Sequence, residues 1–173
     1  MDGQNSESPL HIRIKPYFDR APLTSALVLE LAHHPGGCGG GGGCSFYRNE
    51  AVPQDGGSGP PYGLLQGSLA GLVQVPPREG GNVEMRRGHV AMITNTKEFF
   101  VSAMGHPGWG STMTVWGELA DAASMAVVEA LLALPYHDVK HPTYGTVMRM
   151  LDERVSFTPV AAPAAAVEAA AAA

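Results

Sequence analysis

From residue 45 onward the chain never runs far without a turn. The stretches "SFYR", "YGLLQG", "GHVAMI", "EFFVS" and "MTVWGEL" carry β-branched, aromatic and other apolar residues. Clusters of Gly, Pro, Asn and Ser separate them, and a longer run of the same kind, "GTVMRMLDERVSF", follows near the end. Short apolar runs bounded by turn residues read as strands, because Gly and Pro interrupt a helix and Pro cannot sit inside a central strand. An earlier segment, "LHIRIK", alternates, with Leu10, Ile12 and Ile14 on one face and His11, Arg13 and Lys15 on the other, as a half-buried strand does.

Only two segments have helical character. In "APLTSALVLELAHH", Pro22 takes a first-turn position where its missing N–H is harmless, and Leu23, Leu27 and Leu31 recur every four residues with Ala26 beside them. Pro35 and the following glycines end that helix. In "LADAASMAVVEALLALP", Leu119, Ala123, Val127, Ala130, Leu131 and Leu134 share one face, and Pro135 terminates it. Strands punctuated by turns, with two helices, predict a mainly β fold: a closed antiparallel barrel capped at its ends.

The chain of 173 residues suits one domain, expected over 9–158 between a loose tail at 1–8 and an Ala/Pro-rich tail at 159–173. Hydrophobic residues make up 45% and charged ones 16%, which excludes a disordered chain. The net charge of −5, with Arg86-Arg87 as the one adjacent basic pair, argues against nucleic acid and anionic membranes as partners. No apolar run reaches the ~18 residues of a membrane span. The start, "MDGQNSESPLHI", lacks the basic and apolar regions of a signal peptide. A soluble, cytoplasmic monomer is expected.

The stretch "HHPGGCGGGGGCSFYR" looks chemical. Cys38 and Cys44 enclose five glycines, a spacing that matches no structural zinc pattern, and His33 and His34 would have to be preorganised from a slack loop at a large entropic cost. The two thiols are therefore read as incidental and reduced, and 36–43 as a glycine-rich loop insertion. It lacks the G-K-[ST] ending of a phosphate cradle. In "HDVKH", His137 and His141 have i, i+4 spacing, but Pro135 and Pro142 bracket them, so they read as surface histidines. No metal or other cofactor is expected, and no nucleophile, base and orienter assemble by motif.

There remains Arg48 at the end of "FYR". On its own an arginine ending an apolar strand has its stem packed and its head in water. The order of the surrounding segments changes that reading. "HIRIKPYFDRAPLTSALVLELA" resembles the opening strand and helix of cyclophilins, "FYR" their F-H-R, and "YGLLQGSLAG" their G-F-x-x-Q-G-G. "GHVAMI" is similar to G-x-L-S-M-A, "KEFFVS" to S-Q-F-F-I, "WGSTMTVWGEL" to W-L-D-x-x-H-x-V-F-G-x-V, and "MAVVEAL" to M-x-V-V-x-x-I. The resemblance runs in order over 9–158 and implies an eight-stranded antiparallel barrel closed by two helices.

It also implies an activity, cis/trans isomerisation of X-Pro peptide bonds in peptides and protein clients, or, as the alternative, a proline-binding module with little turnover. By this resemblance Arg48 matches the catalytic arginine, Gln66 the substrate-binding glutamine and Phe100 the floor of the proline socket. Leu64 stands at the socket methionine, Trp109 at the rim tryptophan, and the backbone of Ile93 and Thr94 at the strand that pairs with substrate. The departures are Tyr47 for histidine, Gly63 (with Tyr62 as a substitute) for a socket phenylalanine, Glu98 for glutamine, Gly110 or a deletion for a socket leucine and Met113 for the rim histidine. They imply a looser, wetter socket and weak or no binding of cyclosporin. An ionised Glu98 within reach of Arg48 would form a salt bridge and compete with the prolyl nitrogen, so Glu98→Gln is expected to raise kcat/KM.

Overall fold

The computed structural model describes residues 8–39 and 43–163. Its strands are β1 (Ile14–Pro16), β2 (Ser45–Glu50), β3 (Leu64–Ser68), β4 (His89–Met92), β5 (Glu98–Ser102), β6 (Thr114–Leu119), β7 (Tyr136–Lys140) and β8 (Val147–Ser156). Helix α1 (Pro22–His33) lies between β1 and β2, and α2 (Ala122–Leu132) between β6 and β7. The strands form one antiparallel sheet in the order β1-β6-β4-β5-β3-β2-β8-β7. Among the described residues no ladder joins β1 to β7, so in place of the expected closed ring there are eight strands with β1 and β7 as the two edges. The β1 end is short, and its last residue, Pro16, has no N–H to extend a ladder.

Two apolar clusters lie on opposite faces of the sheet. The larger gathers Phe46, Leu65, Val90, Phe99, Val101 and Trp116 under Leu31 of α1 and Met125 and Val128 of α2. The smaller comprises Leu64, Met85, Ala91, Phe100 and Val115, with Tyr62, Ile93, Trp109 and Met113 packed against it. Strand β3 is buried at every position, which is why "LLQGS" shows no alternation. Gly67 is required in it: a Cβ there would stand 2.7 Å from the Ser45 carbonyl oxygen and 3.0–3.1 Å from the Phe46 and Phe99 rings.

Both helices form where expected, and Leu27 and Leu31 of α1 and Leu131 of α2, from the expected stripes, meet the larger cluster. α1 buries Thr24, Ser25 and Leu31, while Leu23 is exposed; α2 buries Ser124, Met125 and Val128, while Ala123 and Ala130 are exposed. Small hydroxylated residues join members of the apolar stripes at the close approaches, so the buried face of each helix differs from the expected stripe only in part. The ends are tied by side chains. Glu79 accepts from the amides of Leu23 (2.9 Å) and Thr24 (2.8 Å), satisfying donors that α1 leaves open. Asp121 caps α2 by accepting from the Ser124 amide at 2.7 Å. Asn49 donates to the carbonyls of Leu131, Leu132 and Leu134 at the other end of α2.

Seven strands fall on the stretches read from the sequence. The eighth, β7, is the segment "YHDVK", read from the sequence only for its surface histidines and not as a strand; it pairs with β8 from Tyr136↔Leu151 to Lys140↔Val147. His137 Nδ1 lies 2.8 Å from a carboxylate oxygen of Asp152. The reading of Cys38 and Cys44 as free thiols is also corrected. A short 3-10 turn at Pro35–Cys38 brings Cys38 back to the entry of β2, and the two form a disulfide with their Cα atoms 4.8 Å apart. Residues 40–42 of that loop, the tail at 1–7 and residues 164–173 lie outside the described residues. No helix among the described residues is long and apolar enough to cross a membrane.

Candidate active site

The strand register lays a row of side chains across five strands. Arg48 on β2 is opposite Gln66 on β3, Gln66 opposite Phe100 on β5, Phe100 opposite Ala91 on β4, and Ala91 opposite Val115 on β6. Residues directly opposed in an antiparallel sheet share a face. Here it is the face of the smaller cluster, so a cationic head and a carboxamide lead directly onto an apolar floor.

A bulge aims the arginine. Phe46 is opposite Gly67 and Arg48 opposite the very next residue of β3, so Tyr47 is the extra residue. Phe46 packs into the larger core and Asn49 reaches under α2, while Tyr47, Arg48 and Glu50 all contact groups on the opposite face. Without the bulge Tyr47 and Arg48 would point to opposite sides.

Arg48 is held at two points. Its Nε donates to Oε1 of Glu50 at 2.9 Å, and Nη1 donates to Oε1 of Gln66 at 3.1 Å. The Glu50 side chain is 0% exposed and the Arg48 side chain 17%. The same Glu50 oxygen accepts from the Arg149 amide at 3.0 Å, so the carboxylate anchors both the guanidinium and β8. The Tyr62 ring centroid lies 5.8 Å from the guanidinium carbon. Among the described residues Nη2 of Arg48 has no hydrogen-bond partner.

Glu98 does not touch Arg48, which corrects the expected salt bridge. The Tyr47 hydroxyl donates to Oε2 of Glu98 at 2.6 Å and accepts from Nε2 of Gln66 at 2.6 Å. Burial pushes the Tyr47 hydroxyl well above its ordinary pKa, and the bond to Glu98 raises it further, so it remains a donor at neutral pH.

The apolar half differs from the loose, wet socket expected. Phe100 is only 1% exposed. Trp109 meets its ring edge-on at 5.8 Å and His106 at 6.2 Å; His106 and Trp109 stack on each other at 4.1 Å with 13° between their planes. His106 Nε2 lies 3.3 Å from the Gly63 carbonyl oxygen, and burial lowers the imidazole pKa, so the neutral ring donates that bond. Where a socket phenylalanine is missing, Gly63 adopts φ +62° and Met104 occupies the space; Tyr62 comes into the cluster, 6.4 Å from Trp109. Where a leucine is missing, a Cβ on Gly110 would sit 1.7 Å from the Val83 carbonyl oxygen, so backbone fills that place.

The remaining expected residues are distributed around this centre. Leu64 lies in the floor beside Phe100, and Met113 and Ile93 pack against it. The Ile93 amide donates to the main-chain carbonyl of Glu98 (2.9 Å) and its carbonyl accepts from the Thr96 amide (3.2 Å), so Ile93 is engaged within its own turn. The Thr94 hydroxyl donates to the Thr112 carbonyl and ties that turn to the Trp109–Met113 segment. Sequence reasoning missed Glu50 and His106. The signal for Glu50 is its i+2 position from Arg48 in an otherwise strand-like run; His106 offered none beyond lying three residues before Trp109.

Of two surface cavities, one of about 590 Å³ lies between Tyr17, His89 and Glu118, and one of about 190 Å³ lies behind the Arg48 anchor, between Glu50, Pro60, Asp138 and Arg149. Neither is lined by Arg48, Gln66 or Phe100.

No family model matches the sequence, and no curated protein matches it. The structure is similar to the crystal structure of a Cryptosporidium parvum cyclophilin type peptidyl-prolyl cis-trans isomerase determined in the presence of the dipeptide Ala-Pro. The TM-score is 0.52 at 15% identity, over 84% of this chain and 92% of that one. The chain has a cyclophilin-type fold.

Proposed function

We propose that this cyclophilin-fold chain catalyses cis/trans isomerisation of X-Pro peptide bonds in peptide and protein clients, with Arg48 as the catalytic residue. The observation that carries this is Arg48 itself: a guanidinium fixed by Glu50 and Gln66, with Nη2 left over, at the head of a row that ends on Phe100 and Ala91. Rotation about the peptide C–N bond destroys its resonance, at a barrier of ~18–20 kcal/mol. When resonance is lost the prolyl nitrogen regains its lone pair, and a charged donor aimed there stabilises the twisted bond more than the planar one. No covalent step is needed. An acceleration of about 10⁵-fold asks for about 7 kcal/mol, shared by the arginine, the apolar floor and the exclusion of water.

Gln66, Leu64, Phe100, Trp109, Met113 and the backbone of Thr94 form the binding surface in this reading. The pyrrolidine ring belongs over Phe100, and reaching it requires the His106–Trp109 pair to swing aside. That cover favours a second reading, a proline-binding module with little turnover, in which the closed aromatic cluster is the resting state.

An isomerisation assay on an Ala-Pro peptide separates the two. The first reading predicts acceleration by the wild type that Arg48→Ala abolishes. The second predicts that proline peptides alter Trp109 fluorescence without any change in exchange rate.

A further inference from the structure

We infer that Tyr47 and Glu98 are positioning residues: together they set which way the Gln66 carboxamide faces, and through it they hold Arg48. This rests on the reading of Arg48 as the catalytic group. The contacts form one chain. Glu98 Oε2 accepts from the Tyr47 hydroxyl (2.6 Å), the hydroxyl oxygen accepts from Gln66 Nε2 (2.6 Å), and Gln66 Oε1 accepts from Arg48 Nη1 (3.1 Å). Each link has a direction. An ionised carboxylate only accepts, a phenol has one hydrogen, and a guanidinium only donates. With Glu98 as acceptor the phenol hydrogen is committed to it, and the phenol can serve Gln66 only as acceptor. Gln66 must then turn its NH2 to Tyr47 and its oxygen to Arg48.

Remove the acceptor at 98 and only the Arg48 donor still favours that order, now against the phenol hydrogen. The phenol hydrogen is then free to turn toward Gln66, which would rotate its oxygen to meet it and leave its NH2 facing the guanidinium, donor against donor. That arrangement repels Arg48 from its place in the row. The chain is sheltered as well as directed. Gln66 is 9% exposed, Tyr47 is half-buried, and the Arg154 guanidinium carbon lies 5.1 Å from the Tyr47 ring centroid. The raised pKa of Tyr47 keeps its hydrogen in place at neutral pH. The carboxylate at 98 therefore supports Arg48 from the far end of the chain and does not compete with the prolyl nitrogen.

The test uses the full chain with ¹⁵N labelling, the Gln66 side-chain amide being assigned by its disappearance in Gln66→Met. Tyr47→Phe keeps the ring and its packing and removes only the hydroxyl; Glu98→Ala removes the acceptor; Glu98→Gln restores a neutral acceptor. The Gln66 NH2 resonances are expected to shift in Tyr47→Phe and Glu98→Ala and to return toward wild type in Glu98→Gln. In the same order kcat for an Ala-Pro peptide should fall about fivefold, one neutral hydrogen bond's worth, with KM nearly unchanged, and recover. Unchanged Gln66 resonances in Tyr47→Phe, or Glu98→Ala and Glu98→Gln behaving alike, would overturn the inference. If the resonances respond as expected while the wild type accelerates nothing, the positioning chain stands and the isomerase reading fails.

Discussion

Replacing Glu50 by leucine should cost this protein several kcal/mol of stability although it adds an apolar side chain to a buried place. The carboxylate is 0% exposed, its partner Arg48 has 17% of its side chain exposed, and the Arg149 amide depends on the same oxygen. Breaking a buried pair by removing one partner costs about 3–5 kcal/mol, because a charge is left behind without compensation. Arg48 retains some solvent and its bond to Gln66, which places the electrostatic part near the lower end, and the orphaned Arg149 amide adds about 1 kcal/mol. The expected loss is about 3–4 kcal/mol, or a Tm drop of about 6–16 °C for a domain of this size. Urea denaturation monitored by circular dichroism reads it directly. The double variant Arg48→Met/Glu50→Leu should return to within about 1 kcal/mol of wild type, since an apolar pair of similar volume replaces a buried ion pair at little net cost. If Glu50→Leu alone lies within about 0.5 kcal/mol of wild type, Glu50 does not anchor Arg48, and the account of how the arginine is aimed is wrong.

Further outcomes can be measured with the same protein. Gly67→Ala should destabilise by about 1–3 kcal/mol, because its Cβ meets the Ser45 carbonyl and two rings that cannot all yield; a thermal melt equal to wild type would contradict that. His106 is held neutral by burial, so its folded-state pKa is below that of the unfolded chain. The stability it contributes is full above about pH 6.5 and is lost as pH falls below that toward the folded-state value. The loss of stability between pH 7 and pH 5 should accordingly be shallower in His106→Phe, and equal slopes would refute the assignment. Cyclosporin should bind weakly or not at all, since Trp109 is already stacked on His106 and the floor is covered; nanomolar affinity in a Trp109 fluorescence titration would show that the cluster opens readily.

The sequence reveals structure wherever burial is one-sided or turn residues are dense, and it misleads where neither holds. The strands ending in Arg48, Gln66 and Phe100 could be read because Gly and Pro frame them, and their order carried the resemblance. β7 could not, because only Val139 in "YHDVK" is even half-buried, so the segment has no inward face to produce a pattern. The helices and part of each inward face are legible, through Leu27, Leu31 and Leu131, but not the whole contact. Leu23 projects into solvent while Thr24, Ser25 and Ser124 fill the tight contacts, and a hydrophobicity count ranks those residues the other way. In the site, the bulge at Tyr47 has no sequence signature, yet it decides that Tyr47 and Arg48 share a face. Glu50 was passed over because a carboxylate ordinarily marks solvent, and here it is buried against an arginine. His106 sits in a Gly/Pro loop that reads as surface but folds back onto Trp109 and Phe100.

The central claim is that the Arg48 guanidinium lowers the barrier to prolyl rotation. Two-dimensional exchange NMR on an Ala-Pro peptide, with the protein at substoichiometric concentration, measures cis–trans exchange directly and needs no coupled enzyme. The account predicts exchange cross-peaks with wild-type protein and their loss, by about 100-fold or more in rate, with Arg48→Ala, corresponding to about 2.7 kcal/mol of transition-state stabilisation. Equal rates with both proteins, whether fast or at the uncatalysed level, would contradict it.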